Sequence, residues 1–264
     1  MEKLMTETAA LRNTATAGGA PMIGGTRYKE VKHGMLAALA AGEWRAGEAI
    51  PAEKRLGERF GVSIGTLRKA IDELVAENIL VRHQGLGTFV SVHRRDDHFF
   101  RFFRLVRKDG VKAYPSVSLV SFRKGKASRA ESEKLALDAG ARVFHFTNQL
   151  ALHGDVMLID NITLPESLFP DLTEAALRER PSTLYSFYQA AFGINVIDTS
   201  ERLHVTVADE RESQLLQIEL GTPLLEIARV AYSFHGQPVE LRISHVNTAN
   251  YEYIGSEAST KVTP

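Results

Sequence analysis

The 264-residue chain contains no cysteine. Disulfides, thiolate catalysis and cysteine-held zinc are therefore excluded, and the composition suits a reducing cytosol. Neither charge is in excess, since 32 Lys and Arg stand against 32 Asp and Glu. No global attraction to nucleic acid or to a membrane surface follows, although a locally basic module is compatible with that balance. No apolar run approaches the roughly 18 residues that span a bilayer. The N-terminus has no apolar signal core, so a cytoplasmic protein without a membrane partner is expected. The remainder is ordinary for a globular chain, with 44% hydrophobic and 24% charged residues. The length accommodates two domains of about 70 and about 160 residues.

Composition divides the chain. Residues 1–25 are rich in Ala, Thr and Gly without a sustained apolar period, and read as a flexible tail. Residues 26–92 are mostly helical in pattern. Tyr28–Ala41 carries Val31, Met35, Leu36 and Leu39 as a stripe, with Gly42 where a helix stop belongs. A second helix is expected over Ala52–Phe60, stopped by Gly61. Ser63 then suits the N-cap of a third helix, its hydroxyl accepting from the Thr66 amide. In that helix Leu67, Ala70, Ile71, Leu74 and Val75 recur at three and four, leaving Arg68, Lys69 and Asp72 off the buried stripe. Ile79–His83 and Thr88–Val92 are β-prone runs joined by Gln84-Gly85-Leu86-Gly87, a hairpin signal. Three short helices and a glycine-tipped hairpin read as a winged helix-turn-helix, or on this pattern alone as another small helical domain with a hairpin.

Residues 93–98, His-Arg-Arg-Asp-Asp-His, fit neither a helical His pair nor a zinc motif, and read as a solvated linker. Phe99, Phe100, Phe102 and Phe103 read as anchors of the next domain's first strand or of a subunit interface, with stacking on bases as the alternative. Residues 99–258 then form an α+β domain. Strands are expected at Val143–Leu152, Val156–Leu164, Glu201–Val207, Leu224–Ala231 and Val239–Val246, with hairpin turns at His153-Gly154-Asp155 and His235-Gly236-Gln237-Pro238 that require antiparallel neighbours. Helices are expected at Arg129–Ala139, Leu172–Arg178, Thr183–Phe192 and Asp209–Glu219. Val239, Leu241 and Ile243 alternate with Glu240, Arg242 and Ser244, so one face is buried and the other meets solvent or a polar pocket. The Val143–Leu150 run does not alternate cleanly, as expected for a strand covered on both sides near an internal cavity.

The stretch Gly47–Leu56, then Phe60-Gly61-Val62-Ser63, Thr66-Leu67-Arg68, Leu74 and Gln84–Val90, closely resembles the GntR family of bacterial transcription regulators in order and spacing. The resemblance covers Tyr28–Val90 and implies DNA contacts at Lys54, Ser63, Gly65, Thr66 and Arg68, with Gln84 and Gly85 at a wing tip. Two positions depart from the family pattern. Lys54 stands where an Arg is common, keeping charge without bidentate geometry. Ile64 stands where an Arg usually follows Ser63. Ile64 either touches a thymine methyl or packs inward as a helix-start residue; it cannot hydrogen-bond guanine. Between Arg27 and Val92 ten Lys and Arg face eight Asp and Glu, about +2. So weak a basic bias suits a homodimer reading two half-sites of a palindromic double-stranded operator.

The later motifs, with Leu164-Pro165, Thr183-Leu184-Tyr185, Gly221-Thr222-Pro223 and Gly236-Gln237-Pro238-Val239-Glu240, together resemble the UTRA effector domain of the HutC subfamily, whose fold is similar to chorismate lyase. The resemblance implies effector contacts at Thr183, Tyr185 and Glu240. Many members carry Arg-x-Arg for an anion where this chain has Asn148-Gln149-Leu150, so a sugar phosphate is not expected. Asn148 remains on that strand, and Arg242, beside Glu240, is the residue left to meet an anion. Glu240 reads alternatively as an exposed carboxylate and Tyr185 as a core aromatic. No catalytic triad, metal cluster or phosphate loop is recognisable, and no cofactor is implied. The expected function is a ligand-responsive, sequence-specific DNA-binding repressor rather than an enzyme. The alternatives are a domain with residual lyase-like activity and a ligand-independent architectural DNA binder.

Overall fold

A computed structural model describes residues 27–92, 103–109, 114–180 and 183–255. The expected tail, the linker at residues 93–98, and Phe99, Phe100 and Phe102 lie outside the described residues. The N-terminal head contains α1 (Arg27–Ala40), α2 (Glu53–Phe60) and α3 (Ile64–Ala76), followed by the hairpin β1 (Leu80–His83) and β2 (Gly87–Val90). Met35, Leu56, Leu67, Ile71, Leu74 and Val90 form its core. Gly61 ends α2 in the left-handed region at φ 63°, the conformation that a glycine stop was expected to supply. The wing has a third rung that the sequence did not announce. Ile50 donates to Thr88 O and Val90 donates to Glu48 O, both at 2.9 Å, so the segment before Pro51 lies along β2.

The C-terminal domain is built on a six-stranded antiparallel sheet in the order β4-β5-β6-β9-β8-β7. Its strands are β4 (Ser116–Lys126), β5 (Arg142–Leu152), β6 (Asp155–Pro165), β7 (Asp198–Val207), β8 (Pro223–Tyr232) and β9 (Pro238–Val246). A small pair, β3 (Leu105–Arg107) and β10 (Tyr251–Tyr253), closes one side. The helices are α4 (Arg129–Leu135), α5 (Glu174–Glu179), α6 (Leu184–Phe192) and α7 (Glu210–Leu216). Both α4 and α7 start with capping boxes, Ser128 with Glu131 and Asp209 with Glu212, each satisfying two orphan donors.

Three expectations are corrected. Helix α4 stops at Leu135 rather than Ala139, because Ala136 turns left-handed at φ 50°. Helix α7 stops at Leu216 rather than Glu219, because Gln217 does the same at φ 57°. Strand β4 was not expected at all. It is a sheet edge on which Leu119 alone is buried; its apolar residues alternate in two phases, Val117 and Leu119 then Val120 and Phe122, broken by the register shift between Leu119 and Ser121, and its Arg and Lys suit an unpaired edge. The doubly covered β5 is borne out: Phe144 and Phe146 pack in the core cluster of α6, while Gln149 Nε2 donates to Leu215 O of α7 at 2.6 Å.

Candidate DNA-binding edge and effector site

Helix α3 begins at Ile64 because Ser63 caps it, its Oγ accepting from the Thr66 amide at 3.3 Å and lying 3.0 Å from Thr66 Oγ1. Burial of Leu67, Ala70, Ile71 and Leu74 turns Gly65 and Arg68 outward. Ile64 is 44% exposed, so it does not pack inward against α2. A Cβ on Gly65 would meet only Ser63 Oγ, at 4.0 Å, so nothing within the protein requires a glycine there. Arg68 Nε donates to Glu53 Oε2 at 2.7 Å across to α2, where Lys54 is the next residue and is exposed. Gln84 and Gly85 are exposed in the turn between β1 and β2, with Gly85 at φ 75°. Thr66 is the half-buried member of the set.

The effector residues converge on one face of the sheet. Glu240 is fully buried on β9, not an exposed strand carboxylate. Tyr185 OH donates to its Oε1 at 3.2 Å and Tyr188 OH to its Oε2 at 2.7 Å. Tyr185 is thus both a core aromatic and a partner of Glu240. Burial pushes both phenols well up, and the Glu240 charge adds to the effect, so both remain donors. Arg242 Nε and Nη2 grip Glu240 at 2.9 and 3.0 Å, while Nη1 reaches Asp160 Oδ2 at 3.2 Å. Burial works against the Arg242 charge, but Glu240 and Asp160 outweigh it and raise the guanidinium pKa well above its usual value. Arg242 is therefore paired with two carboxylates, and an effector anion would have to compete with them for it. Asp160 also accepts from Ser244 Oγ at 2.5 Å.

Asn148 lies beside Asp160 in the register of β5 and β6. Its Oδ1 is buried with no partner, which is costly for a polar atom and marks an unfilled acceptor. Thr183 caps α6, its Oγ1 accepting from the Ser186 amide at 3.3 Å. Arg180, not singled out in the sequence, follows α5 and is half-buried near this cluster. Burial lowers its pKa and the nearby Arg242 charge adds to that, whereas Tyr188 opposes it. It donates to the Leu177 carbonyl and has no carboxylate partner among the described residues. No sequence signal distinguishes it from other surface arginines.

The site touches the head through two elements. Gln189 Nε2, one residue after Tyr188 on α6, donates to Ser91 O at 3.2 Å, just past the wing. Phe234, in the turn leading to β9, is 6% exposed within the head's own core, and His235 lies 5.0 Å from the His33 ring of α1.

Residues 112–252 match the UTRA domain, and residues 27–90 match the bacterial regulatory proteins of the gntR family. A protein named a fructoselysine utilization operon transcriptional repressor in Shigella flexneri is 30% identical, over 81% of this chain and 87% of its own. The histidine utilization repressor of Pseudomonas putida is 27% identical, over 83% of this chain and 87% of its own. The ligand-binding domain of a GntR-family transcriptional regulator from Bordetella bronchiseptica superposes with a TM-score of 0.58 at 28% identity, covering 59% of this chain and 97% of that one. With a winged head, a UTRA sheet and both matches in that order, the chain belongs to the GntR family of bacterial regulators, in its HutC branch.

Proposed function

We propose that the protein is a transcriptional repressor whose two heads, in a homodimer, read a palindromic operator and release it when a small metabolite fills the Glu240 site. Gly65, with no side chain, leaves room for the DNA backbone, and exposed Ile64 meets a thymine methyl. Arg68 and Lys54 meet phosphates, Ser63 and Thr66 fix the helix start, and Gln84 and Gly85 carry the wing. The observation that carries the effector half is the Tyr188–Glu240 hydrogen bond, because the same helix bonds the base of the wing through Gln189. A ligand that remakes the Glu240 contacts must move or stiffen α6, and so favours one arrangement of heads over another.

The ligand reading follows from one unfilled acceptor and from hydrogen bonds that a ligand can exchange. Asn148 offers an acceptor to a donor group, and Tyr185, Tyr188 and Glu240 offer exchangeable partners to hydroxyls or amines. Thr183 sets the position of Tyr185. Arg180 supplies one cation, enough for a carboxylate; the bidentate pair that a phosphate dianion favours is missing where Asn148 and Leu150 stand. Among the described residues of the Glu240 site, the polar groups pair with one another as hydrogen-bond and ion-pair partners, which favours ligand binding over a lyase reading. A thermal-shift screen of small carboxylate metabolites on the full chain tests this. A true effector at about 100 times its dissociation constant adds about 2.7 kcal/mol and releases a selected operator. Turnover of the ligand without release would favour the enzyme reading instead.

A further inference from the structure

The sheet has a second face, and a cleft there is unused by the effector site. Asn148 and Asp160 pair on the front; their neighbours Thr147 and Asn161 pair on the back, with Ile243 beside them. On the back, α4 and α7 stand apart over an open cleft of about 860 Å³. Its floor is neutral, with Thr147, Asn161 and Thr163 alongside Leu241 and Ile243. Its walls are cationic: Arg211 from α7, Lys134 from α4, and Arg123 and Lys126 from β4.

Arg211 is held across the floor, Nη2 donating to Thr147 Oγ1 at 2.9 Å and Nη1 to Asn161 Oδ1 at 3.3 Å. Both acceptors are neutral, so its charge is uncompensated. None of the four cations has a carboxylate partner among the described residues. One carboxylate, Glu131, lines the cleft, and it is already committed. Its Oε1 accepts from His145 Nε2 and from Thr163 Oγ1, each at 2.8 Å, and its Oε2 accepts from the Ser128 amide at 2.8 Å. Like charges gathered without a counter-ion repel one another, and an oxyanion relieves that repulsion. The guanidinium fork suits two oxygens of one carboxylate or phosphate, and the flexible lysines suit further negative charge around it.

We propose that this back-face cleft binds a small multivalent anion, a phosphate or polycarboxylate on a compact metabolite, at a site separate from the Glu240 cluster. The two sites share a sheet but no side chain, so the failure of either leaves the other standing.

Calorimetry on the full chain at fixed ionic strength provides the test, with pyrophosphate and citrate as probes for the two anion chemistries. The wild type is expected to show saturable binding of at least one probe, at one site per chain. Arg211→Gln and the exposed double variant Lys126→Gln/Lys134→Gln are each expected to weaken it tenfold or more. Tyr185→Phe, on the front face, is expected to leave it unchanged. The double variant guards against a folding defect in the Arg211 variant, since both lysines are exposed. Absence of saturable binding of both probes would overturn the proposal. So would loss in Tyr185→Phe with retention in both back-face variants, or back-face variants that alter dimerisation while binding the probes normally.

Discussion

Gln189 of α6 donates a 3.2 Å hydrogen bond to the backbone carbonyl of Ser91, and its neighbour Tyr188 donates one of 2.7 Å to Glu240. One helix thus bonds the base of the wing and the buried carboxylate of the effector site. Gln189→Ala is expected to leave ligand affinity unchanged while shrinking the ligand-induced loss of operator affinity. Paired titrations of ligand and operator check this; an unchanged coupling would route the signal through the Phe234 turn alone.

Arg68→Ala is expected to weaken operator binding and to lower the log–log salt slope by about 0.9, the loss of one phosphate contact. Because Arg68 pairs with Glu53, Glu53→Gln is expected to strengthen binding by freeing the guanidinium. Neither change is expected to move the melting temperature much, since exposed ion pairs contribute about 0–1 kcal/mol. Anisotropy titrations across salt concentrations, with melting curves, check both.

Ile64→Arg is expected to shift the selected half-site toward guanine, by on the order of 1–3 kcal/mol per good bidentate contact. At 44% exposure, Ile64 leaves room for the longer side chain without disturbing the core. Selection from random DNA with both proteins reads the shift. Identical sites with a lower melting temperature would return Ile64 to the core.

Glu240→Ala strands Arg242 with Asp160 as its one remaining carboxylate and leaves two phenols without their acceptor. Breaking a buried ion pair on one side costs about 3–5 kcal/mol, so a large drop in denaturant midpoint is expected. Glu240→Gln keeps an acceptor and is expected to lose less.

Acid stability has a named contributor. Burial pushes the Glu131 carboxyl up, but bonds from the Ser128 amide, Thr163 and the Ser128 hydroxyl, with the His145 charge, hold it at about 2 against an ordinary 4.5. A lowered folded-state pKa stabilises the fold above the unfolded value, and that stability is lost as pH falls from about 4.5 toward about 2. Urea unfolding of wild type and Glu131→Gln is expected to show a gap at pH 7 that closes by pH 2; a constant gap would assign the difference to packing.

Much of the architecture was legible because local rules and the tertiary fold agree. Ser63, Gly61 and the Asp209–Glu212 pair signal helix ends through their own hydrogen bonds. The β9 alternation placed Glu240 and Arg242 on one face. What sequence could not give was pairing at a distance. Asp160 lies 82 residues from its Arg242 partner, and Arg180 acquires meaning only by burial near Tyr188. Edge strand β4 stayed hidden because its short apolar alternation, Val117 and Leu119 then Val120 and Phe122, changes phase at the register shift between Leu119 and Ser121.

Operator affinity of the full chain, measured with and without a saturating ligand of the Glu240 site, tests ligand-controlled release most directly. A 5- to 150-fold loss is expected, corresponding to a coupling of about 1–3 kcal/mol, and it should be diminished in Tyr188→Phe. Equal affinity in both conditions, with the ligand demonstrably bound, would contradict it.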